Sequence, residues 1–507
     1  MFDIVIIGAG SAGCAIAARA SEDPNRTVLL IEAGPDYSQI AETPFDLVNG
    51  HNNSYTDHDW ALSYAPTRGR QVRFPRGRVT GGSSAVNTAI ALRGMPEDYD
   101  EWAQLGNPEW EWAKVLPAFN RLERDLDFGE RDYHGDAGPI SIRRYPVGEM
   151  ARQHQAFLEA ARGLGYPDCP DANDPNDWGS GPQPMNKLGR LRVSCAIGYL
   201  APARARSNLT IRAQTFVTRL IIVGGKCTGV EVRTAEGEIE IIEGRLVVLC
   251  AGAILSPAIL MRSGVGPRAQ LEAHGIEVAR DTPGVGQNLC DHPALSVSFE
   301  AKDPALVDPS QPIIQSILRY TAEGSNKRND LQIEMLTFNG RPGSAPTFGI
   351  AGVVEYQYGR GELTLQSADP DVGPLIDNRF CEDERDLSRL VGCYKDVLAF
   401  AETAPIKEMA SAMAFPRGEV DDEAIAGLCR RYAGSGYHPS GTVKMGPASD
   451  PMAVVGQYGA CHGVDQLVVA DASIMPFVPR ANTNLTAIMI GERVGEWLRT
   501  RPGMYGL

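Results

Sequence analysis

The chain opens on an almost unbroken apolar run, Phe2-Asp-Ile-Val-Ile-Ile7, the pattern of a strand buried on both faces of a parallel sheet. Gly8-Ala-Gly-Ser-Ala-Gly13 follows as a tight turn, then an Ala-rich helix through Ala20, then a second apolar strand, Thr27-Val-Leu-Leu-Ile-Glu32. Strand, glycine turn, helix and strand in this order form the first unit of a dinucleotide-binding fold. Leu246-Val-Val-Leu-Cys-Ala-Gly252 and Leu467-Val-Val-Ala-Asp471 read as further strands of the same sheet, far away in sequence.

The intervening pattern is different. Residues 141–204 are loop-rich, with Pro, Asn and Asp clustered between Pro167 and Pro184. Strand-like runs appear at Leu331–Phe338, Ile350–Tyr358 and Glu362–Leu365, and helical stretches at 383–403 and 421–432. The expected architecture is α/β: a Rossmann-like dinucleotide domain, discontinuous in sequence (1–140, 205–290, 435–507). An α+β substrate domain on an antiparallel sheet (141–204, 291–434) is inserted in it.

Composition narrows the class. The 507 residues are 43% hydrophobic and carry a formal net charge of −15. Such a surface repels phosphate backbones and anionic lipids, so a nucleic-acid partner is not expected. No apolar run approaches the ~20 residues of a membrane span, and the first strand begins at Met1, so a cytoplasmic location is expected. The ten cysteines are scattered without a CxxC pair or a Cys/His metal spacing, which predicts reduced thiols and no metal.

The glycine turn carries chemistry because its context fits. Gly8, Gly10 and Gly13, with Ser11 and Ala12 between them, let the backbone approach a pyrophosphate at a helix N-terminus. Glu32, followed by Ala33, ends the next strand, where a carboxylate accepts bonds from ribose hydroxyls. A carboxylate there favours FAD or NAD over NADP. A second glycine-rich loop, Pro75-Arg-Gly-Arg-Val-Thr-Gly-Gly-Ser-Ser-Ala-Val-Asn87, offers backbone N–H groups to a ligand, with Arg78 as a charge near a phosphate.

That loop, continuing through Arg93-Gly94 to Asp98-Tyr-Asp-Glu-Trp102, resembles the first signature of the glucose–methanol–choline (GMC) oxidoreductase family. Gly252-Ala-Ile-Leu-Ser-Pro-Ala-Ile-Leu-Met-Arg-Ser-Gly264 resembles its second. Pro283-Gly-Val-Gly-Gln-Asn-Leu-Cys-Asp-His292, Gly359-Arg-Gly-Glu-Leu-Thr-Leu365, Tyr437-His-Pro-Ser-Gly-Thr-Val-Lys-Met-Gly446, Asp471-Ala-Ser-Ile-Met-Pro476 and Asn482-Thr-Asn484 follow in the family's order, end to end.

The resemblance implies FAD and an active site under the substrate domain. Val86 stands where the choline oxidases carry the histidine that links the flavin, so FAD is expected to be non-covalent. Gly81, Gly82, Ser83, Asn87 and Thr88 are expected along the flavin, and Val217 and Trp60 at the adenine. Asp471 with Ala472 is expected at the pyrophosphate and flavin edge.

The resemblance also implies a base, His438, and a second polar residue, Asn482, with Asn484 as its rival. An alcohol that gives up hydride must lose its hydroxyl proton, and a neutral imidazole suits that task. Tyr437 is expected in the pocket wall. The implied activity is oxidation of an uncharged primary or aromatic alcohol to the aldehyde, with dioxygen or another acceptor as partner. Glu334 and Glu355 keep a choline-type reading open, since either could face a cation. A flavin-containing hydroxynitrile lyase is the other alternative. A disulfide reductase is disfavoured because its cysteine pair and second fingerprint are missing.

Overall fold

The computed structural model describes residues 1–339, 345–418 and 420–507. Phe2–Ile7 forms a strand whose inner residues are fully buried, flanked in parallel by Val28–Ile31 and by the end of Ile239–Leu249. Leu209–Arg212 extends this sheet on one side and Leu467–Val469 pairs with Val247–Leu249. The helix Ser11–Ala20 packs against the C-terminal helix Asn484–Thr500, where Gly491 and Gly495 let the backbones approach closely.

One part of this sheet departs from the sequence expectation. Ile239–Leu249 is longer than the run beginning at Leu246, and its first half pairs antiparallel with Lys226–Arg233, which in turn pairs with Phe216–Val223. Alternating exposed residues such as Ile239 and Ile241 hid this half from a search for apolar runs. Gly252 does not end the strand. It opens the helix Gly252–Arg262, with φ at +81°.

The second sheet is antiparallel throughout. Its order is Ala410–Phe415, Pro293–Ala301, Thr347–Val354, Leu331–Leu336, Ser316–Tyr320 and Gly179–Pro182. The helix Glu384–Glu402 covers one face, with Cys393 and Val397 against Gly352. The other face looks towards the first sheet. The short pair Gly434–Ser435 also joins Pro293–Ala294, and this junction positions the site.

Candidate active site

Three helices begin on the wall of one cavity of about 940 Å³: those starting at Ser11, Gly252 and Asn484. Their N-terminal N–H groups and dipoles make the region favourable for an anion. A side chain on Gly10 or Gly252 would meet no atom within 4 Å, so both backbones stand bare to a ligand. Gly82, at φ +52°, sits so near Gly10 that a Cβ would lie 2.6 Å from its Cα.

Most of the sequence-predicted residues meet here. Gly8, Gly10, Ser11, Ala12, Glu32, Ala33, Trp60 and Val217 line one part of the cavity. Gly82, Ser83, Asn87, Thr88, Asp471, Ala472, Tyr437, His438 and Asn482 line the rest. Three do not line it. Gly13 packs beneath the turn, where a Cβ would lie 2.0 Å from the Gly8 carbonyl oxygen. Gly81, at φ +98°, donates its N–H to the Ala9 carbonyl at 2.7 Å. Arg78 is exposed and stacks on Trp60, 4.9 Å from the ring centre.

Glu32 closes the first unit from inside. Its two oxygens accept the Ala9 and Gly34 N–H groups at 3.0 and 2.9 Å, and burial pushes its carboxyl up to about 7. Asp471 likewise accepts the Gly252 N–H and the Ser256 hydroxyl at 2.8 and 2.6 Å, tying the end of the strand Leu467–Val469 to the helix Gly252–Arg262.

His438 is placed by stitching. Gly434–Ser435 pairs with Pro293–Ala294, Cys290 and Ser440 exchange backbone bonds, and the Gly436 N–H reaches the His292 carbonyl at 2.7 Å. Asp291 anchors both halves. Its Oδ1 accepts the backbone N–H of His292 at 2.7 Å and of His438 at 2.9 Å, and its Oδ2 accepts the Ser435 hydroxyl. Tyr437 bridges the turn at φ +67°, with Arg76 donating to its carbonyl at 3.0 Å.

The His438 ring is held at both nitrogens. Nδ1 faces His292 Nδ1 at 2.9 Å, and Nε2 faces Asn482 Nδ2 at 3.0 Å. With the amide nitrogen donating, Nε2 is the unprotonated acceptor and Nδ1 carries the proton donated to His292. Burial first, then His292 and Arg76, hold His438 well below the ordinary imidazole range, so it is neutral at pH 7. Burial likewise takes His292 down to about 3.

Asn482 is the amide that meets His438, and its Oδ1 is buried without a partner. Asn484 instead accepts the Ser11 hydroxyl at 2.8 Å while lining the same cavity. Of the two glutamates, Glu334 lines the cavity. Glu355 does not. It lies behind His292, 3.4 Å from Nδ1, and burial pushes it up to about 8.

Sequence reading missed His292 as a partner of His438, although it ends a quoted motif; only the pairing of two distant segments reveals the contact. It also missed a buried cluster of Glu123, Asp125 and His134, whose ligand atoms lie close enough together to hold a metal ion. There Arg93 meets Glu123 and Arg144 meets Asp125, so two guanidinium groups balance its acids.

FAD fits this cavity. The bare glycines, three helix N-termini, and the unpartnered Asn482 Oδ1 and Asn484 Nδ2 supply close approach, positive field and free hydrogen-bonding groups. The class so defined is a dinucleotide-binding protein with a neutral histidine on the wall of its cavity.

Comparison carries this further. Residues 2–294 and 357–491 match the GMC oxidoreductase family. A 5-(hydroxymethyl)furfural oxidase of Methylovorus sp. (strain MP688) is 35% identical, covering 99% of each chain. Oxygen-dependent choline dehydrogenase 1 of Chromohalobacter salexigens is 34% identical over 99% of this chain and 95% of its own. The crystal structure of pyridoxine 4-oxidase from Mesorbium loti superposes with a TM-score of 0.90 at 29% identity, covering 98% of both chains.

The chain belongs to the GMC oxidoreductase family: it is an FAD-dependent oxidoreductase that acts on alcohols. Among the described residues no helix is long and apolar enough to cross a membrane.

Proposed function

We propose that the enzyme oxidises a primary alcohol carried on a ring to the aldehyde, with His438 taking the hydroxyl proton. The observation that carries this reading is the pair of contacts on the His438 ring, which leaves Nε2 unprotonated at the cavity wall. Bound FAD supplies the hydride acceptor. Asn482 orients the substrate oxygen beside Nε2 without competing for the proton. His292 holds the ring and its tautomer, and Asp291 fixes both backbones. Tyr437 forms part of the wall.

The cofactor roles follow the lining. The first glycine turn and the Gly252 helix would hold the pyrophosphate, and Glu32 the ribose. Trp60 and Val217 would hold the adenine, and Gly82, Ser83, Asn87 and Thr88 the flavin. Val86 is a buried cavity residue that offers no linking atom, which supports non-covalent FAD. The division at 141–204 and 291–434 is proposed as the substrate domain. All ten cysteines are free and buried, in keeping with a cytoplasmic, reducing location.

The names of the relatives, a furan-borne and a pyridine-borne alcohol among them, support a ring-borne hydroxymethyl. A panel of benzyl, furfuryl and pyridylmethyl alcohols tests it, with flavin bleaching followed anaerobically and peroxide followed in air. Rapid bleaching by ring-borne primary alcohols is expected. Bleaching by aliphatic or secondary alcohols alone would overturn the reading.

A further inference from the structure

The face of the antiparallel sheet that looks into the cavity is read from its register. Ser296, Ala351, Glu334 and Ile317 lie opposite one another on four neighbouring strands. Ser296, Ala351 and Glu334 all line the cavity. In this row Glu334 is the only ionisable group, and it sits between Ala351 and Ile317. Its Oε1 accepts the Gln332 side-chain N–H at 2.6 Å, and among the described residues it has no second hydrogen-bond partner and no ion pair.

Glu334 is far from the base. His438 follows the segment that pairs with Pro293–Ala294, whereas Glu334 lies two strands further across the sheet, about 10 Å at the usual strand spacing. A substrate whose hydroxyl lies at His438 and whose ring spans the apolar middle would present its opposite end to this carboxylate.

A carboxylate buried among aliphatic groups is costly unless a substrate completes it. The charged groups around it leave that role open. Glu355 is a second acid, and Arg319 spends its guanidinium on the Ala172 and Arg480 carbonyls at 2.7 and 2.8 Å. Burial holds the bare Glu334 carboxyl near 7, poised to ionise when a cation arrives. A quaternary ammonium group fits poorly, because it wants aromatic faces. Of the cavity aromatics, Phe415 pairs with Ser298 three strands from Glu334 and meets Tyr432, Tyr437 adjoins His438 and meets Tyr55, and Trp60 meets Phe216. A cation that donates N–H bonds fits well.

We propose that Glu334 is a specificity-determining residue that selects alcohols bearing a protonated N–H group, such as an aminomethyl, at the end remote from the hydroxyl. This amends the expectation of an uncharged substrate and rests on the reading of the cavity as the site of alcohol oxidation.

The test compares 4-(aminomethyl)benzyl alcohol with its neutral isostere 4-ethylbenzyl alcohol on the FAD-loaded enzyme and on Glu334→Gln. The wild type should favour the amine by about 10- to 100-fold in kcat/KM, mostly through KM, as expected for one charge-assisted hydrogen bond. Glu334→Gln should abolish that preference, lowering kcat/KM for the amine far more than for the neutral alcohol. Binding of 4-methylbenzylamine, which has no hydroxyl to oxidise, is measured by calorimetry and should weaken by a similar factor in Glu334→Gln. This arm does not depend on turnover, so it separates failure of this assignment from failure of the oxidation reading. Equal use of both alcohols by the wild type, an amine preference that survives in Glu334→Gln, or unchanged amine binding would overturn the proposal.

Discussion

His438 and His292 meet through their Nδ1 atoms at 2.9 Å, although 146 residues separate them in the chain. One of the two must donate, and the Asn482 amide on the far side of His438 makes His438 the donor. In the proposed mechanism His292 is therefore a positioning residue, which decides which nitrogen of His438 is free.

Replacing His292 by Ala should lower kcat by about 10- to 100-fold with little change in KM, since orientation and tautomer are lost but not the base itself. His292 also depresses the His438 pKa, so its removal should move the acid limb of the pH–rate profile to higher pH. His292→Gln, which retains a hydrogen-bonding group, should recover part of kcat. An unshifted profile in His292→Ala would show that the contact is packing alone.

Cofactor retention checks the other end of the site. Acid or heat denaturation should release FAD into the supernatant, because Val86 offers no atom for a covalent link; flavin remaining with the precipitate would contradict this. Glu32→Ala should weaken FAD binding by about 10-fold or more, the scale of one hydrogen bond to a charged group. The Ala9 and Gly34 N–H groups also lose their acceptor. Titration of the apoprotein with FAD measures it, and unchanged affinity would mean that Glu32 does not reach the ribose.

The first βαβ unit was legible because local rules specify it: an apolar strand, a glycine turn and an Ala-rich helix need no distant partner. Asn482 and His438 were legible only through motif resemblance. His292 against His438 was not legible, since strand pairing across more than a hundred residues creates the contact, and which of Glu334 and Glu355 faces the cavity is decided by strand register that the sequence pattern does not give. Gly13 and Gly81 fell outside the cavity for a related reason. Gly13 is needed so that backbone can approach backbone and Gly81 for its positive φ, and sequence does not separate those needs from ligand approach.

Acid stability should depend on His154. It is fully buried, bonded to the Ser316 and Thr337 hydroxyls at 2.8 and 2.9 Å, and burial takes it down to about 3. Between that value and the ordinary 6.5 the unfolded chain binds a proton that the folded chain refuses. Stability should therefore fall as pH drops through this window, by up to about 1.4 kcal/mol per pH unit from this group. His154→Gln should be less stable at pH 7 and lose less on going to pH 5. Denaturant melts at the two pH values measure this, and an equal loss in both proteins would contradict it.

Asn482→Ala should slow flavin reduction by about 10- to 100-fold, because one hydrogen bond to a reacting oxygen is lost while Nε2 of His438 remains free. Asn482→Asp should be slower still at neutral pH, since a carboxylate there would raise the His438 pKa and favour its protonated form. Rapid reduction in both variants would remove Asn482 from the account.

The most direct test is anaerobic stopped-flow of flavin absorbance in His438→Ala with the preferred alcohol. FAD should remain bound, since the residues proposed to hold it lie mainly in the first βαβ unit and the loop through Asn87. Reduction should slow by about 10²- to 10⁴-fold, the usual contribution of a general base. The wild-type rate should stay flat down to below pH 6.5, because His438 is held neutral. A His438→Ala protein that keeps its FAD and bleaches as fast as wild type would contradict the assignment of His438 as the base.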